Sequence, residues 1–227
     1  MNCGKLTLES MSQAVWYNQW TIKKFEQFLK GDILEVGCGI GNFTSFLTKY
    51  GNVWAIDINE QYVTEAKKKV NGKVKIGIGD VEKGNYFFKG QKFDSIVCLN
   101  VLEHIKNDGF ALKSLYNLLE KGGCLILLVP AHMFLFGKID KSIGHYRRYN
   151  KQQLGDVLKG IGFKIIKARI LNMVGAIGWW FASKVLSNGT VGVGKIKLFS
   201  FIAPFVLPME DIIEPPFGTS ILIICQK

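Results

Sequence analysis

The chain has 227 residues, 48% apolar and 21% charged, with no low-complexity tract; that suffices for one sizeable core and excludes a disordered or fibrous protein. No period repeats along it, which excludes a solenoid. A net charge of +11 points to an anionic partner (nucleic acid, a phosphorylated substrate or a membrane surface) without choosing among them.

The elements follow in chain order. Residues 12–30 place Val15, Trp16, Trp20, Ile22, Phe25 and Leu29 at three- and four-residue spacing, an amphipathic helix ending near Gly31. "DILEVG" is a short buried strand, and "NFTSFLTKYG" a helix stopped by Gly51. "NVWAIDIN" is a second strand that ends on Asp57, "EQYVTEAKKKVNG" a helix closed by Asn71-Gly72, and "KVKIGIGD" a third strand. "FDSIVCLN" is a fourth strand, "DGFALKSLYNLLEKGG" a helix with a Gly-Gly stop, and "CLILLVP" a fifth strand. "NKQQLGDVLKGIGF" is a helix, "KIIKARIL" a sixth strand and "SILIICQ" the last.

Strands alternating with helices predict a mostly parallel α/β sheet of seven strands covered on both faces. Residues 172–218 break the rhythm and hold four of the five prolines. A single domain of 1–227 is expected: a helical extension over 1–31, a core over 32–171, an apolar cap over 172–218 and a final strand over 219–227. Cys3, Cys38, Cys98, Cys124 and Cys225 form no CxxC pair, so reduced thiols in a cytoplasmic protein and no metal are expected. The first ten residues hold no apolar h-region, so no secretion signal is expected. The longest charge-free apolar run, 170–183, is short of the ~20 residues that cross a bilayer.

The chemistry concentrates in "ILEVGCGIGNF", residues 33–43. Glycines between a strand and a helix let the chain turn with positive φ and let a ligand touch bare backbone. A P-loop is excluded because no lysine stands at the required place, and a GxGxxG fingerprint is excluded by Asn42 and Thr44. The spacing is Glu35-x-Gly37-x-Gly39-x-Gly41, followed about twenty residues on by Asp57.

With Gly79-Asp80, "FDSIVCLNVLEHI" and "LLEKGGCLIL", this resembles the class I S-adenosylmethionine-dependent methyltransferases over most of residues 12–170. The resemblance implies a Rossmann-like fold and S-adenosylmethionine as cofactor, released as S-adenosylhomocysteine. It implies a binding set of Glu35, Gly37, Cys38, Gly39, Gly41, Asn42, Asp57, Ile58, Asp80, Val81, Asn100 and Val101. Asp57 would take the ribose diol and Asp80 the adenine amine, with the ring between Ile58 and Val81. Backbone carbonyls near Gly37 and Asn100, with Glu35, would hold the ammonium. Read one at a time, Asp57 and Asp80 are equally well ordinary turn residues, and Glu35 a capping acid.

A second signature, "GHYRRY" at 144–149, with Glu214-Pro215-Pro216-Phe217-Gly218-Thr219-Ser220, resembles a bacterial branch of that family whose members are mostly unassigned as to acceptor. His145, oriented by Asp140 and with Tyr149 nearby, is a candidate base; it is equally well a structural hydrogen-bonder. Arg147 and Arg148 either grip an acceptor anion or pair with surface acids. His104 and Tyr17 complete the candidate acceptor site, and His132 fits either class.

Residues 170–208 carry Trp179, Trp180, Phe181, Phe199, Phe201 and Phe205, with Lys184, Lys195 and Lys197 between them. They form a lid, an interfacial anchor on the inner membrane face, a homodimer surface, or an apolar cap folded on the core. The expected acceptor is a small molecule or a lipid-linked compound, a lipid-linked saccharide being one example. A nucleic-acid methyltransferase is disfavoured, since the fourth strand ends in "LNVL" rather than an NPPY-like tetrapeptide; a cofactor-binding protein that transfers nothing is the other alternative.

Overall fold

The computed structural model describes residues 3–70, 74–181 and 193–227, with side chains for all of these except residue 3 and residues 193–198. The Asn71-Gly72 helix stop and the Lys184, Lys195 and Lys197 side chains lie outside the described residues. Strands β1 (Asp32–Val36), β2 (Asn52–Asp57), β3 (Lys75–Asp80), β4 (Asn85–Tyr86), β5 (Phe93–Leu99), β6 (Leu119–Pro130), β7 (Lys164–Leu171) and β8 (Ser220–Gln226) form one sheet. Its order is β4-β3-β2-β1-β5-β6-β8-β7.

The run from β3 to β6 through β2, β1 and β5 is parallel, and β8 runs antiparallel to both β6 and β7. The sheet has eight strands rather than the expected seven. The addition is the two-residue β4, antiparallel to the end of β3. One Asp80 oxygen accepts from the Glu82 and Lys83 amides at 2.9 and 3.1 Å, which bends the chain back toward β3.

Helices cover both faces. Successive residues of β6 point to opposite sides. Leu125 and Leu127 join Leu112 and Leu115 of α5 (Asp108–Leu118) and Leu154 and Leu158 of α7 (Lys151–Ile161). Ile126 and Leu128 join Trp20 and Ile22 of α2 (Val15–Lys23), with Phe25 just beyond it. Burying each such aliphatic side chain is worth roughly 1.5–3 kcal/mol.

Three boundaries differ from expectation. The single helix over 12–30 is α2 followed by a 3-10 turn at Glu26–Phe28, and a separate α1 (Cys3–Ser12) precedes it. The helix after the glycines is one turn, α3 (Thr44–Leu47). The β6 strand begins earlier, because Leu119 is buried and already registers with Phe93. The helix α4 (Glu60–Lys69) stands where expected, its N-terminus capped by the Asn59 side chain. A short α6 (Lys138–Ile143), not foreseen, lies between β6 and α7.

Residues 172–218 contain α8 (Met173–Trp180), α9 (Val193–Val206) and α10 (Met209–Ile212). Ala203 and Leu207 are fully buried against the α2 side of the core. The Glu210 carboxylate accepts from the amides of Asn172 and Met173 at 2.6 and 2.9 Å. Glu214 accepts from the Ile170 amide at 2.7 Å and from Lys151 at 2.8 Å. At Gly218 an added Cβ would stand 2.2 Å from the Leu171 carbonyl oxygen. The Glu-Pro-Pro-x-Gly segment therefore ties the returning chain to the end of β7. Among the described residues, no helix is long and apolar enough to cross a membrane.

Candidate functional site

In parallel sheets ligands bind at the carboxyl ends of strands where the strand order reverses. Here that point lies between β1 and β5. Beyond β1, Gly37, Gly39 and Gly41 have φ of +71°, +51° and +83°, a region that side chains rarely adopt. A Cβ at Gly37 would come within 2.3 Å of Val101 Cγ2. The Gly37 and Cys38 amides donate to the Ile56 carbonyl at 2.8 and 3.0 Å, and the Gly39 amide donates to Asp57 Oδ2 at 2.8 Å. Beyond β5, Asn100 is exposed with φ +54°, and its amide donates to the Leu128 carbonyl at 2.7 Å. The helix α1 lies over the turn: Asn42 Nδ2 donates to the Leu8 carbonyl at 3.0 Å, and Lys5 pairs with Glu65 of α4 at 2.6 Å.

Three acids stand at this rim. Glu35 is 4% exposed, and its Oε2 has no hydrogen-bond partner. Burial pushes its carboxyl up to about 8, with the Thr44 hydroxyl opposing and the Asp57 charge adding to the rise. Burial also raises Asp57, against the amides of Asn59, Gly39 and Ile58. Its Oδ1 accepts from the Asn59 amide at 2.8 Å, so each oxygen keeps a lone pair. Asp80 lies in a groove of ≈ 610 Å³ with Ile58, Ile78, Lys83, Tyr86 and Phe87.

Of the two residues expected to flank the ring, Ile58 is 74% exposed, but Val81 is 5% exposed and packed in the core. The apolar wall beside Asp80 is built by Ile78 and Phe87. Phe87 belongs to the segment returning beside β3, a pairing with no sequence signal. The Cys38 thiol is buried, which pushes its pKa up, so it supplies packing rather than reactivity.

A second cluster gathers after β5 and α6. His145 Nδ1 lies 2.9 Å from Asp140 Oδ1, which also accepts from Arg148 Nε at 2.8 Å. Asp140 Oδ2 accepts from the Gly137 amide at 3.0 Å. Burial works against the Asp140 charge, yet His145 and Arg148 hold its carboxyl below the ordinary value. Glu103 is completely buried, and neither of its oxygens has a hydrogen-bond partner. Burial pushes it up to about 8. His145 Nε2 stands 3.7 Å from Glu103 Oε1, and the His104 ring packs edge-on against His145 at 4.6 Å. The surrounding protein and the neighbouring His145 push the His104 imidazole down to about 4.

The structure thus brings Asp140, His145 and Arg148 together with Glu103 and His104. Arg148 does not present a free fork to an anion: it is 5% exposed, also donates to the Ala131 carbonyl at 3.2 Å, and stacks over Trp179. Tyr149 is no base, since its buried hydroxyl is held by the Leu102 carbonyl and Asp108 at 3.1 and 3.0 Å, and burial and Asp108 push its pKa up. Arg147 pairs with Asp108 at 2.7 Å and donates to the Lys106 carbonyl at 2.8 Å.

Tyr17 is placed elsewhere, among Asn172, Thr21 and Ser220, edge-on to Phe199. His132 has φ +60° and stacks on Phe134, with Nε2 buried and unpartnered. Glu103 was missed by sequence reasoning. Its signal was an acid beside His104 in "LEHI", where a helix-facing glutamate is unremarkable; burial reveals it.

Residues 34–127 match the family model described as a methyltransferase domain. Over 165 residues the chain is 28% identical to the ubiquinone biosynthesis O-methyltransferase of Rickettsia bellii, an alignment covering 63% of this chain and 66% of that protein, just under two thirds. A SAM-dependent methyltransferase structure from Archaeoglobus fulgidus superposes with a TM-score of 0.64 at 15% identity, covering 94% of each chain. The N-methyltransferase NodS of Bradyrhizobium japonicum, in complex with S-adenosyl-L-homocysteine, gives 0.58 at 14% identity over 92% of this chain and 83% of that one. The fold is the Rossmann-like fold of class I methyltransferases.

Proposed function

We propose that this chain, whose residues 34–127 match a methyltransferase domain, is an S-adenosylmethionine-dependent enzyme that methylates a small-molecule acceptor by in-line displacement. The observation that carries the reading is the buried Glu35 oxygen without a partner, beside a glycine turn so close to Val101 that a Cβ at Gly37 would stand 2.3 Å from its Cγ2. A buried carboxylate needs a cationic or strong donor partner, and the cofactor's ammonium is one. The residues present fit the group: Glu35 with Asn100 for the ammonium, Asp57 for the diol, Asp80 for the adenine amine, and Ile58, Ile78 and Phe87 for the ring.

S-Adenosylmethionine, when bound, supplies a methyl group already activated on a sulfonium. What the chain must add is alignment and exclusion of water, and a destination for the acceptor's proton. Glu103 and the Asp140-oriented His145 are the groups that take it. Arg148 and Tyr149 act through others: Arg148 fixes Asp140, and Tyr149 ties Asp108 to the turn that carries Glu103.

An acceptor hydroxyl is favoured by the likeness to the Rickettsia bellii protein, whose name states O-methylation. Calorimetry with S-adenosylmethionine, then S-adenosylhomocysteine formation across an acceptor screen, tests the proposal. Absence of cofactor binding overturns it, and binding without turnover on any acceptor favours the non-catalytic alternative. Nucleic acid as acceptor predicts ultraviolet absorbance from co-purified polymer.

One observation favours a greasy or lipid-linked acceptor met at a membrane surface. Phe201, Phe205, Met209, Ile212 and Ile213 of the cap are each at least 67% exposed, on a chain of net charge +11. Sedimentation with anionic and neutral vesicles tests it. Binding to neither removes it, and a concentration-dependent dimer assigns the face to a second copy.

A further inference from the structure

We propose that Glu103, His104 and His145 form a site for one divalent transition-metal ion of the zinc class. One ligand atom from each of the three lies within 4.8 Å of the others, and this grouping is found among the described residues. The donor set is two imidazoles and one carboxylate, the combination that holds catalytic zinc and related ions with a position left open.

The second observation is independent of that spacing. Glu103 is completely buried, yet both its oxygens lack a hydrogen-bond partner. An isolated buried carboxylate is costly, and the residue facing it makes matters worse. Asp140 is an acceptor already held by Arg148 and Gly137, so His145 donates to it from Nδ1. That leaves the Nε2 lone pair aimed toward Glu103 Oε1 at 3.7 Å. With Glu103 ionised, two acceptors face each other across this gap, and a cation there would satisfy both.

The separation suits an ion. Two ligands at zinc–donor distances on a tetrahedral centre stand about 3.4 Å apart, close to the observed 3.7 Å. The outer support is also built: Asp140 fixes the His145 ring and tautomer as carboxylates do behind metal-bound histidines, and Arg148 and the Gly137 amide fix Asp140. His104 is exposed, which leaves the site open to solvent on one side. An ion there would replace His145 as the group that activates an acceptor hydroxyl. That consequence rests on the methyl-transfer reading, whereas the ion site does not.

The test uses the full chain, stripped with chelator and kept reduced, titrated with zinc chloride at neutral pH without S-adenosylmethionine. One equivalent is expected to bind. The affinity is expected to fall by about 100-fold or more in Glu103→Gln and in His104→Ala, and by about 10–100-fold in Asp140→Asn. His104 is exposed, so His104→Ala keeps the test valid should the buried variants fail to fold; circular dichroism reports folding for each. Cobalt(II) should give visible bands of a nitrogen–oxygen site without thiolate charge transfer. No binding by the folded wild-type chain overturns the proposal and leaves a shared proton between Glu103 and His145. Binding unchanged in His104→Ala, or thiolate bands with cobalt, overturns it by placing the ion elsewhere. Calorimetry with S-adenosylmethionine alone separates failure of this site from failure of the cofactor reading.

Discussion

Asp57 Oδ2 accepts the Gly39 amide at 2.8 Å, so the acid that ends β2 also holds the glycine turn that follows β1. One side chain therefore shapes the cradle and, in the proposed function, binds the ribose. Asp57→Ala is expected to weaken S-adenosylmethionine binding by ~1.5–3 kcal/mol, the range for a hydrogen bond to a charged group, with an added loss of thermal stability. Calorimetry and thermal unfolding measure the two. An unchanged affinity would mean that the ribose sits elsewhere.

Glu35 makes stability depend on pH in an unusual direction. Its carboxyl is raised from 4.5 to about 8, so between those values the folded state holds a proton that the unfolded state has released. Its contribution is fully present below pH 4.5 and is lost as pH rises through about 8. Urea unfolding of the cofactor-free chain should show stability declining across that window. Glu35→Gln should remove this share of the slope and leave the share of Glu103, which burial also raises to about 8.

Gly37→Ala should abolish cofactor binding and destabilise the fold, because the new methyl meets Val101 Cγ2 at 2.3 Å and the backbone has φ +71°. The double variant Gly37→Ala, Val101→Ala relieves the contact and leaves the dihedral cost. It should recover part of the stability in a denaturant titration; full recovery would show that φ carries no cost.

The paired arginines should separate sharply. Arg148→Met removes the buried guanidinium that pairs with the Asp140 carboxylate, and losing one member of a buried pair costs roughly 3–5 kcal/mol. Arg147→Ala breaks a half-exposed pair with Asp108 and should cost no more than ~1 kcal/mol. Equal losses in chemical denaturation would contradict the burial seen for Arg148.

The cap is held by a few directed bonds. Glu210→Ala strands the Asn172 and Met173 amides, at roughly 1–3 kcal/mol for each buried group left unsatisfied. Faster hydrogen exchange across residues 193–213, with the sheet unaffected, is the expected readout. Exchange unchanged in that segment would show that apolar packing alone holds it.

Local patterning determined most of the strands, the glycine turn and the positions of Glu35, Asp57 and Asp80, because strand periodicity and positive-φ glycines are properties of neighbouring residues. The same logic could not separate Arg147 from Arg148. They are adjacent in sequence, and their difference lies in which one meets Asp140 and Trp179. Helix α1, the β4 edge and the Phe87 wall left no local signature, since each exists through contacts with distant chain.

Sequence by itself set the expectation of a bare-backbone glycine turn, with acids at the ends of the first three strands, at one end of an α/β sheet. Tertiary structure alone decided that Glu103 is buried without a hydrogen-bond partner opposite His145, and that the Tyr149 hydroxyl and the Arg148 guanidinium are buried and bonded within the fold. The physical reason is range. Dihedral preference and period are fixed within a few residues, whereas the burial and pairing of a charge are fixed by whatever the folded chain brings beside it.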